Sequence, residues 1–346
     1  SDLIDRGRKH NYYRYADQVD DYRQDHHQLH LSQNWGAWNF GSTIHFTKGA
    51  GFYEQFKAND DLSLYGAGPL GLADSSITTG DVIRRRWLDN DFYGMLIQAN
   101  RDWNGVSLQL GAGAFDYVGD HFGVPIWMQY GASDLLPTDR YYSNTGNKTD
   151  RYAFSALSSQ AFDGKMQWRG ELQVRNVGYD VAGTDNDLRV LQVDTSMAFV
   201  NPKFGVDWLF DDANRMFVSV ARGSREPVRN DFIDRSGSAY PKAETLTDLE
   251  LGWQHGTENW SIEAVAYRML YQNQLVLTGA LNDVGSPVRM NADASQRTGL
   301  ELSLNWRPGG GFTWFGTATR SINTIDEFSE TLFDYGNDED PIATVI

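Results

Sequence analysis

The sequence predicts an all-β protein, an antiparallel up-and-down β-barrel of the transmembrane kind. Three observations lead there. Apolar and polar residues alternate with period two along about twelve segments, as strands with unlike faces require. The segments come in six pairs, with a short turn inside each pair and a long connection between pairs. Finally, the polar stripe of at least one strand is too hydrophilic for a dry protein core.

The first pair is HHQLHLSQNW (26–35) and WNFGSTIHFTKG (38–49), joined around Gly36. Leu29 and Leu31 share a side with Trp38, Phe40, Ile44 and Phe46; Gln28, His30, Ser32, Asn39, Thr43 and His45 lie opposite. The second pair is DFYGMLIQAN (91–100) and GVSLQLGAGAF (105–115), turning at Asp102–Gly105. The third is RYAFSALSSQ (151–160) and KMQWRGELQVRNVGY (165–179). In its second strand Met166, Trp168, Leu172 and Val174 face one way, while Gln167, Arg169, Glu171, Gln173 and Arg175 face the other. Five long polar side chains in a row must meet water or a polar partner.

The fourth pair is KFGVDWLF (203–210) and RMFVSVARG (215–223), joined by DDAN. The fifth is TDLELGWQ (247–254) and WSIEAVAYRMLY (260–271), joined by HGTEN. The sixth is RTGLELSLNW (297–306) and GFTWFGTATRSIN (311–323), turning at RPGGG. Two strands, 92–100 and 260–271, alternate poorly. Short turns inside every pair and long connections outside it put all the long loops at one end, the layout of an outer-membrane barrel. A propeller would instead repeat with a period of roughly 40–50 residues, and no such motif recurs.

Composition fits this reading and excludes others. As a soluble protein, 346 residues would suggest two domains, although large β-barrels break that prior. Mean hydropathy is negative, and no run of 18 apolar residues marks a transmembrane helix. That excludes nothing for strands, because lumen residues and loops dilute a barrel's hydropathy. Aromatics reach 13%, with 11 Trp and 17 Tyr, which suits either a large β-sandwich core or the aromatic girdles of a membrane barrel. There is no Cys, so disulfides, thiolate metal sites and cysteine nucleophiles are absent. A net charge of −16 opposes a nucleic-acid partner. The chain begins SDLIDRGRKH and ends DEDPIATVI, with no initiator Met or signal peptide, so a mature or truncated piece is expected.

Three kinds of residue are candidates for chemistry. His26, His27 and His30 stand close together, and His30 and His45 share a face at nearby heights, a pairing that either supports a metal or simply hydrogen-bonds in a polar lumen. Arg84, Arg85 and Arg86 precede WLDND near a strand start, Arg225 and Arg229 bracket SREPVR, and His121 lies in the loop motif GDHFG. Guanidinium forks suit carboxylates, phosphates or catecholates. Structural pairing with nearby Asp89, Asp91, Glu226 and Asp231 is the plainer account. No hydrolase, zincin, P-loop or dinucleotide motif occurs, and Ser32 with His45 has no supporting geometry, so no enzyme activity is expected.

Several ordered blocks resemble one family: YRQDHHQLHLS, TKGAGFYEQFK, RRRWLDNDFYG, GDHFGVPIW, NPKFGVDW, SREPVRNDF, PKAETLTDLELGW and LYQNQLVLTGALNDVGSPVRMNADASQRTGLEL. Together they resemble the barrel of TonB-dependent outer-membrane receptors, in particular the Bacteroidetes iron–siderophore branch. The resemblance implies a 22-stranded barrel filled by an N-terminal plug, with short turns in the periplasm and long loops outside the cell. Residues 1–346 would then be an internal part of the barrel, about twelve strands, with the plug domain absent from this chain. It further implies uptake of a ferric siderophore or similar iron chelate from the Gram-negative outer membrane, driven by TonB, without a cofactor. Gln296 stands where an aromatic residue is usual, and the last segment lacks the aromatic-ended strand such barrels use for assembly.

On that reading Arg84, Arg85, Arg86, His121, Arg225 and Arg229 are ligand candidates. His30, His45, Arg169, Glu171 and Arg175 face the lumen or plug. Lipid and lipopolysaccharide surround the wall, and a surface lipoprotein is a further partner. Glycan, cobalamin or haem are the alternative cargoes, and a soluble β-rich carbohydrate-binding protein is the alternative from another class.

Overall fold

The computed structural model describes residues 7, 15–67, 70–72, 75–131, 139–235, 239–282, 286–326, 331–334 and 342–345. All of SDLIDRGRKH except Gly7, and most of DEDPIATVI, lie outside them. Twelve strands form one sheet in which each pairs with its neighbours in sequence, all antiparallel, with no crossover. They are β1 (Asp20–Trp35), β2 (Trp38–Asp61), β3 (Thr79–Trp103), β4 (Val106–Met128), β5 (Tyr142–Ala161) and β6 (Met166–Thr184). The second half comprises β7 (Val190–Leu209), β8 (Asn214–Arg225), β9 (Glu244–Gly256), β10 (Trp260–Leu281), β11 (Pro287–Gly309) and β12 (Phe312–Ile325). Two small hairpins, Leu70–Leu72 with Ser75–Ile77 and Thr331–Asp334 with Ile342–Val345, form separate sheets. All twelve strands read from the sequence are present.

Residues directly opposite one another across a ladder share a face. Leu29, Ile44 and Met95 are successive partners, as are Trp168, Val206 and Val218. This outer face is apolar near the short turns and open to its surroundings. Leu29, Ile44, Ile97, Leu172, Val218, Leu251 and Leu302 are each 40–56% exposed. In water that would be a very large apolar patch. The opposite, inner face carries Arg169, Glu171, Lys203, Asp207, Arg215 and Glu250 at the same heights, with Arg215 paired to Asp207 and Arg169 to Glu171.

Tryptophan placement decides what wets the outer face. Nine of the eleven, Trp35, Trp38, Trp103, Trp168, Trp208, Trp253, Trp260, Trp306 and Trp314, sit on it within a few residues of a short turn. Trp260, Trp306 and Trp314 are directly opposed in one row, and Trp35 opposes Trp38. A soluble core would bury these rings. A ring of tryptophan at one end of an apolar band is instead what a membrane–water boundary selects.

The strands run well past the apolar band, to 25 residues in β3, whereas spanning the hydrocarbon needs about 9–11. Above the band the outer face turns charged: Lys48 bridges Asp89 and Asp91 at 2.6 and 3.2 Å, and Arg151 pairs with Asp116 at 2.7 Å. The connections that read as long loops are thus largely strand, and only residues 185–189 separate β6 from β7. In water neither face has to be apolar, so the ladder continues while the alternation that reveals it fades.

The two poorly alternating strands have local causes. Phe92 of β3 lies on the inner face, where its ring meets His45 at 4.7 Å and Phe115 at 6.0 Å. Tyr267 of β10 also points inward and fills the space over Gly299. A Cβ at Gly252 would lie 1.9 Å from the Phe217 ring, so that glycine is required by close approach.

For the complete protein refolded into lipid vesicles, Leu302→Arg is expected to cost ~2–4 kcal/mol in denaturant unfolding, whereas Glu301→Gln on the inner face costs roughly 0.5 or less. Equal costs would contradict the assignment of faces.

Candidate functional site

Beyond the apolar band two connections fold back over the inner face. After β2, Leu62–Tyr65 form one turn of 3-10 helix, in which Asp61 accepts from the Ser63 N–H and Gly66 closes at φ 76°. Leu62, Tyr65 and Ala67 bury against Val82. After β8 comes helix α1 (Arg229–Ile233), whose Asp231 accepts from the Val228 N–H at 2.8 Å. Phe232 and Ile233 bury against Val177, Tyr179 and Val181 of β6 and Leu191, Val193 and Phe199 of β7.

An ion network clamps this second connection to the wall. Glu226 accepts from Lys148 at 2.7 Å and from Arg175 at 2.9 Å, and Arg175 also grips Asp150 with two nitrogens at 2.6 and 2.9 Å. Burial alone would push the Glu226 carboxyl up, but hydrogen bonds from Lys148 and Arg175 outweigh it and hold the group below its ordinary range. Removing one member of such a network leaves the others buried and unpaired, which is the costly case.

Beside these folded connections is a cleft of about 460 Å³, bordered by Asp20, Tyr22, Tyr53, Arg86, His121 and Tyr142. Its floor is set by register. Arg86, Gly123 and Tyr142 are successive partners on β3, β4 and β5, and Leu88, His121 and Asn144 form the next row. Gly123 must lack a side chain, because a Cβ there would lie 2.4 Å from the Tyr142 ring. Arg86 donates to the Tyr142 hydroxyl and to Asn186 Oδ1, both at 3.2 Å, and its guanidinium lies 5.5 Å from the Tyr53 ring centre. Arg229 reaches in from α1, donates to Asn144 Oδ1 at 2.7 Å, and passes over Gly146.

His121 is therefore flanked by two guanidiniums. Burial first, then the charges of Arg229 and Arg86, pull its pKa down to about 4, with Asp120 opposing weakly. The imidazole is neutral at neutral pH. Burial pushes the Tyr141 and Tyr142 hydroxyls up, so both are neutral. The cleft offers the Arg86 guanidinium, the Asp20 carboxylate and a set of neutral hydrogen-bonding groups, with the Arg229 guanidinium held beside it on Asn144.

Of the arginines singled out in the sequence, Arg84, Arg85 and Arg86 lie within β3 rather than at its start, and alternation separates them. Arg84 and Arg86 face inward. Arg85 faces outward, paired with Glu54 at 2.7 Å and stacked over Phe52. Arg84 is buried on Gln55 and the Tyr65 hydroxyl. Arg225 donates to Glu244 at 3.1 Å. Three of these arginines do pair with acids, Arg84 lying 3.9 Å from Asp60, but the partners are not the expected Asp89, Asp91, Glu226 and Asp231. Asp89 and Asp91 serve Lys48, Glu226 serves Lys148 and Arg175, and Asp231 lies 3.8 Å from Arg289. Adjacent residues on a strand point to opposite faces, so nearness in sequence is a poor guide to partners.

His30 and His45 share the inner face, but His30 bonds Thr43 and Gln28 while His45 packs against Phe92 and Phe115. Among the described residues no group of three metal-binding side chains occurs. Arg169, Glu171 and Arg175 all point inward. Sequence patterning alone does not single out Tyr22, Tyr53, Tyr142, Asn144 or Lys148. The doubled tyrosine of YYSNTGNK was the available signal.

A sequence profile described as "TonB dependent receptor-like, beta-barrel" matches residues 2–344. No curated protein matches the chain by sequence. Solved structures share its fold. "Copper transporter OprC" superposes with a TM-score of 0.64 at 13% identity, covering 88% of this chain and 47% of that one. The ferric-catecholate import receptor Fiu from E. coli K12, in its closed form, gives 0.59 at 13% identity, covering 93% and 50%. The ferric yersiniabactin uptake receptor FyuA from Yersinia pestis gives 0.54 at 17%, covering 88% and 43%. The chain spans about half the length of these structures.

The His121 shift carries a pH signature. Its folded pKa lies below its unfolded value, so stability is lost as pH falls from ~6.5 towards 4. The thermal midpoint is expected to decline over that window and to decline less in His121→Gln. Identical slopes would show that His121 is not held neutral. The Glu226 clamp, a depressed carboxyl, is intact above its ordinary pKa and is lost only in stronger acid.

Proposed function

The chain belongs to the TonB-dependent receptor-like β-barrel family, and we propose that its parent protein is an outer-membrane active transporter of a ferric siderophore or similar iron chelate. The observation that carries the proposal is the pairing of a tryptophan-rimmed apolar outer face with a charged inner face in one up-and-down sheet. A wall of that kind separates lipid from an aqueous lumen, and a lumen needs cargo or a filling. The family is one of transport receptors rather than enzymes.

On this reading the short turns lie in the periplasm and the strand extensions rise from the cell surface. The remaining strands and an N-terminal plug belong to the rest of the protein, and the plug carries the segment that engages TonB. Arg169, Glu171 and the neighbouring Arg215–Asp207 pair form the charged wall that a plug meets. Arg86, His121, Arg225 and Arg229, near the outer mouth, are the residues proposed to meet cargo, whereas Arg84, buried on Gln55 and Tyr65, is proposed to brace that mouth. Arg85, on the outer face, is proposed to meet outer-leaflet headgroups instead. Binding and passage require no bond to be made or broken, so the residues act by position and charge, and no cofactor is involved.

Iron chelates rank ahead of glycan, cobalamin or haem because ferric-chelate receptors recur among the structures that share the fold. In cells dependent on the complete receptor, radiolabelled iron is expected to accumulate from ferric catecholate or ferric citrate only while TonB is present. Saturable oligosaccharide binding with no response to iron chelates would reverse the choice of cargo. Extraction of the complete protein as a monomer in plain buffer would overturn the membrane reading altogether.

A further inference from the structure

Building on that transport reading, we propose that the inner-face cleft between Arg86 and Arg229 is a preformed anion site that selects cargo presenting a negatively charged oxygen group. Two observations carry the proposal independently of the family.

The first is unmet hydrogen-bonding capacity. Arg229 makes its hydrogen bond to the neutral Asn144, and its Nε is buried without a partner. Among the described residues no carboxylate lies within ion-pair distance of it. That is notable in a chain with 46 acidic residues against 30 Lys and Arg. The acids nearest in the fold are otherwise engaged: Asp185 and Asp234 lie 3.7 and 3.9 Å from Arg189. A buried guanidinium nitrogen without a partner costs stability, and an arriving oxyanion is the kind of acceptor a guanidinium takes.

The second is rigidity. Arg229 opens helix α1, which is fixed by the burial of Phe232 and Ile233 and by the Glu226 clamp immediately before it, with Pro227 fully buried between. Arg86 is fixed by Tyr142 and Asn186. Both cations stand in place before cargo arrives, so little ordering cost falls on binding. Among the described residues bordering the cleft Asp20 is the carboxylate; Asp185 acts on Arg229 and Tyr142 through space, and neutral His121 adds no charge of its own.

Binding to the purified complete receptor in detergent tests the proposal with four probes. These are a triply anionic ferric tris-catecholate, a neutral ferric tris-hydroxamate, an oligogalacturonate and its neutral methyl ester. One anionic probe is expected to bind at least about tenfold tighter than its neutral counterpart. Arg229→Gln should remove that preference and Arg229→Lys should keep part of it, in variants that still show the heat-dependent gel shift of a folded barrel. Neutral and anionic probes bound equally, or a preference that survives Arg229→Gln, would overturn the anion site while leaving transport untouched. Preference for the oligogalacturonate would uphold the anion site and overturn iron as cargo. Binding of no probe would overturn both.

Discussion

Everything in this structure depends on the continuous antiparallel ladder, because it ties the side chain's face to its place in the sequence. Hydrocarbon offers no hydrogen bonds, so a spanning strand must satisfy each N–H and C=O through its neighbours. Once it does, register is fixed, and directly opposed residues on all twelve strands fall on a common side. A slip of one residue would send Leu302 to the lumen and Glu301 into lipid. The alternation is therefore held by both faces at once, which is a stronger constraint than either could impose alone.

The same ladder works in two media along its length. Beside the short turns, the outer positions are mostly Trp, Leu, Val and Ile, and the inner positions are mostly polar or charged, with scattered rings such as Phe217 and Tyr267. Higher up, the outer positions become Lys48, Asp89, Asp91 and Arg151, and it is the inner face that gains dry clusters, as the connections after β2 and β8 fold over it. The polarity of the sheet inverts with height. A membrane band below and a partly dry, folded mouth above are two consequences of one uninterrupted set of strands.

That inversion explains what the sequence could and could not reveal. The six hairpins were legible because near each turn the two faces differ sharply, as in the strand that carries Trp168 and Leu172 against Arg169 and Glu171. The strand extensions were not, because period two disappears where both faces meet water or protein. Candidate residues suffered from the same cause. RRR reads as one basic cluster, yet its middle member belongs to the opposite surface from its neighbours. Lys148 and Glu226, 78 residues apart, meet at 2.7 Å, and no local pattern signals a contact made by a connection folding across two strands. In the sequence His121 stands out only as a histidine in a glycine-rich motif, but its significance lies in Arg86 and Arg229, which register and α1 bring to it.

The mouth has a further logic that follows from where it lies. An arginine left without a carboxylate inside the apolar band would be costly, and one fully in water would be screened and unselective. Arg229 occupies neither position. It stands on a short helix pressed against the wall above the band, partly desolvated, where a charge acts over a useful range and an oxyanion gains more than it would in bulk water. The clamp of Glu226, Lys148, Arg175 and Asp150 is what makes that placement sustainable, since two cations and two carboxylates satisfy one another and leave Arg229 out of the exchange. Self-contained ion pairing on one side of Pro227 and an unspent guanidinium on the other are thus coupled features. The first fixes the helix, and the fixed helix holds the second beyond ion-pair distance of the described acids, although the charges of Asp185 and Asp234 still reach it.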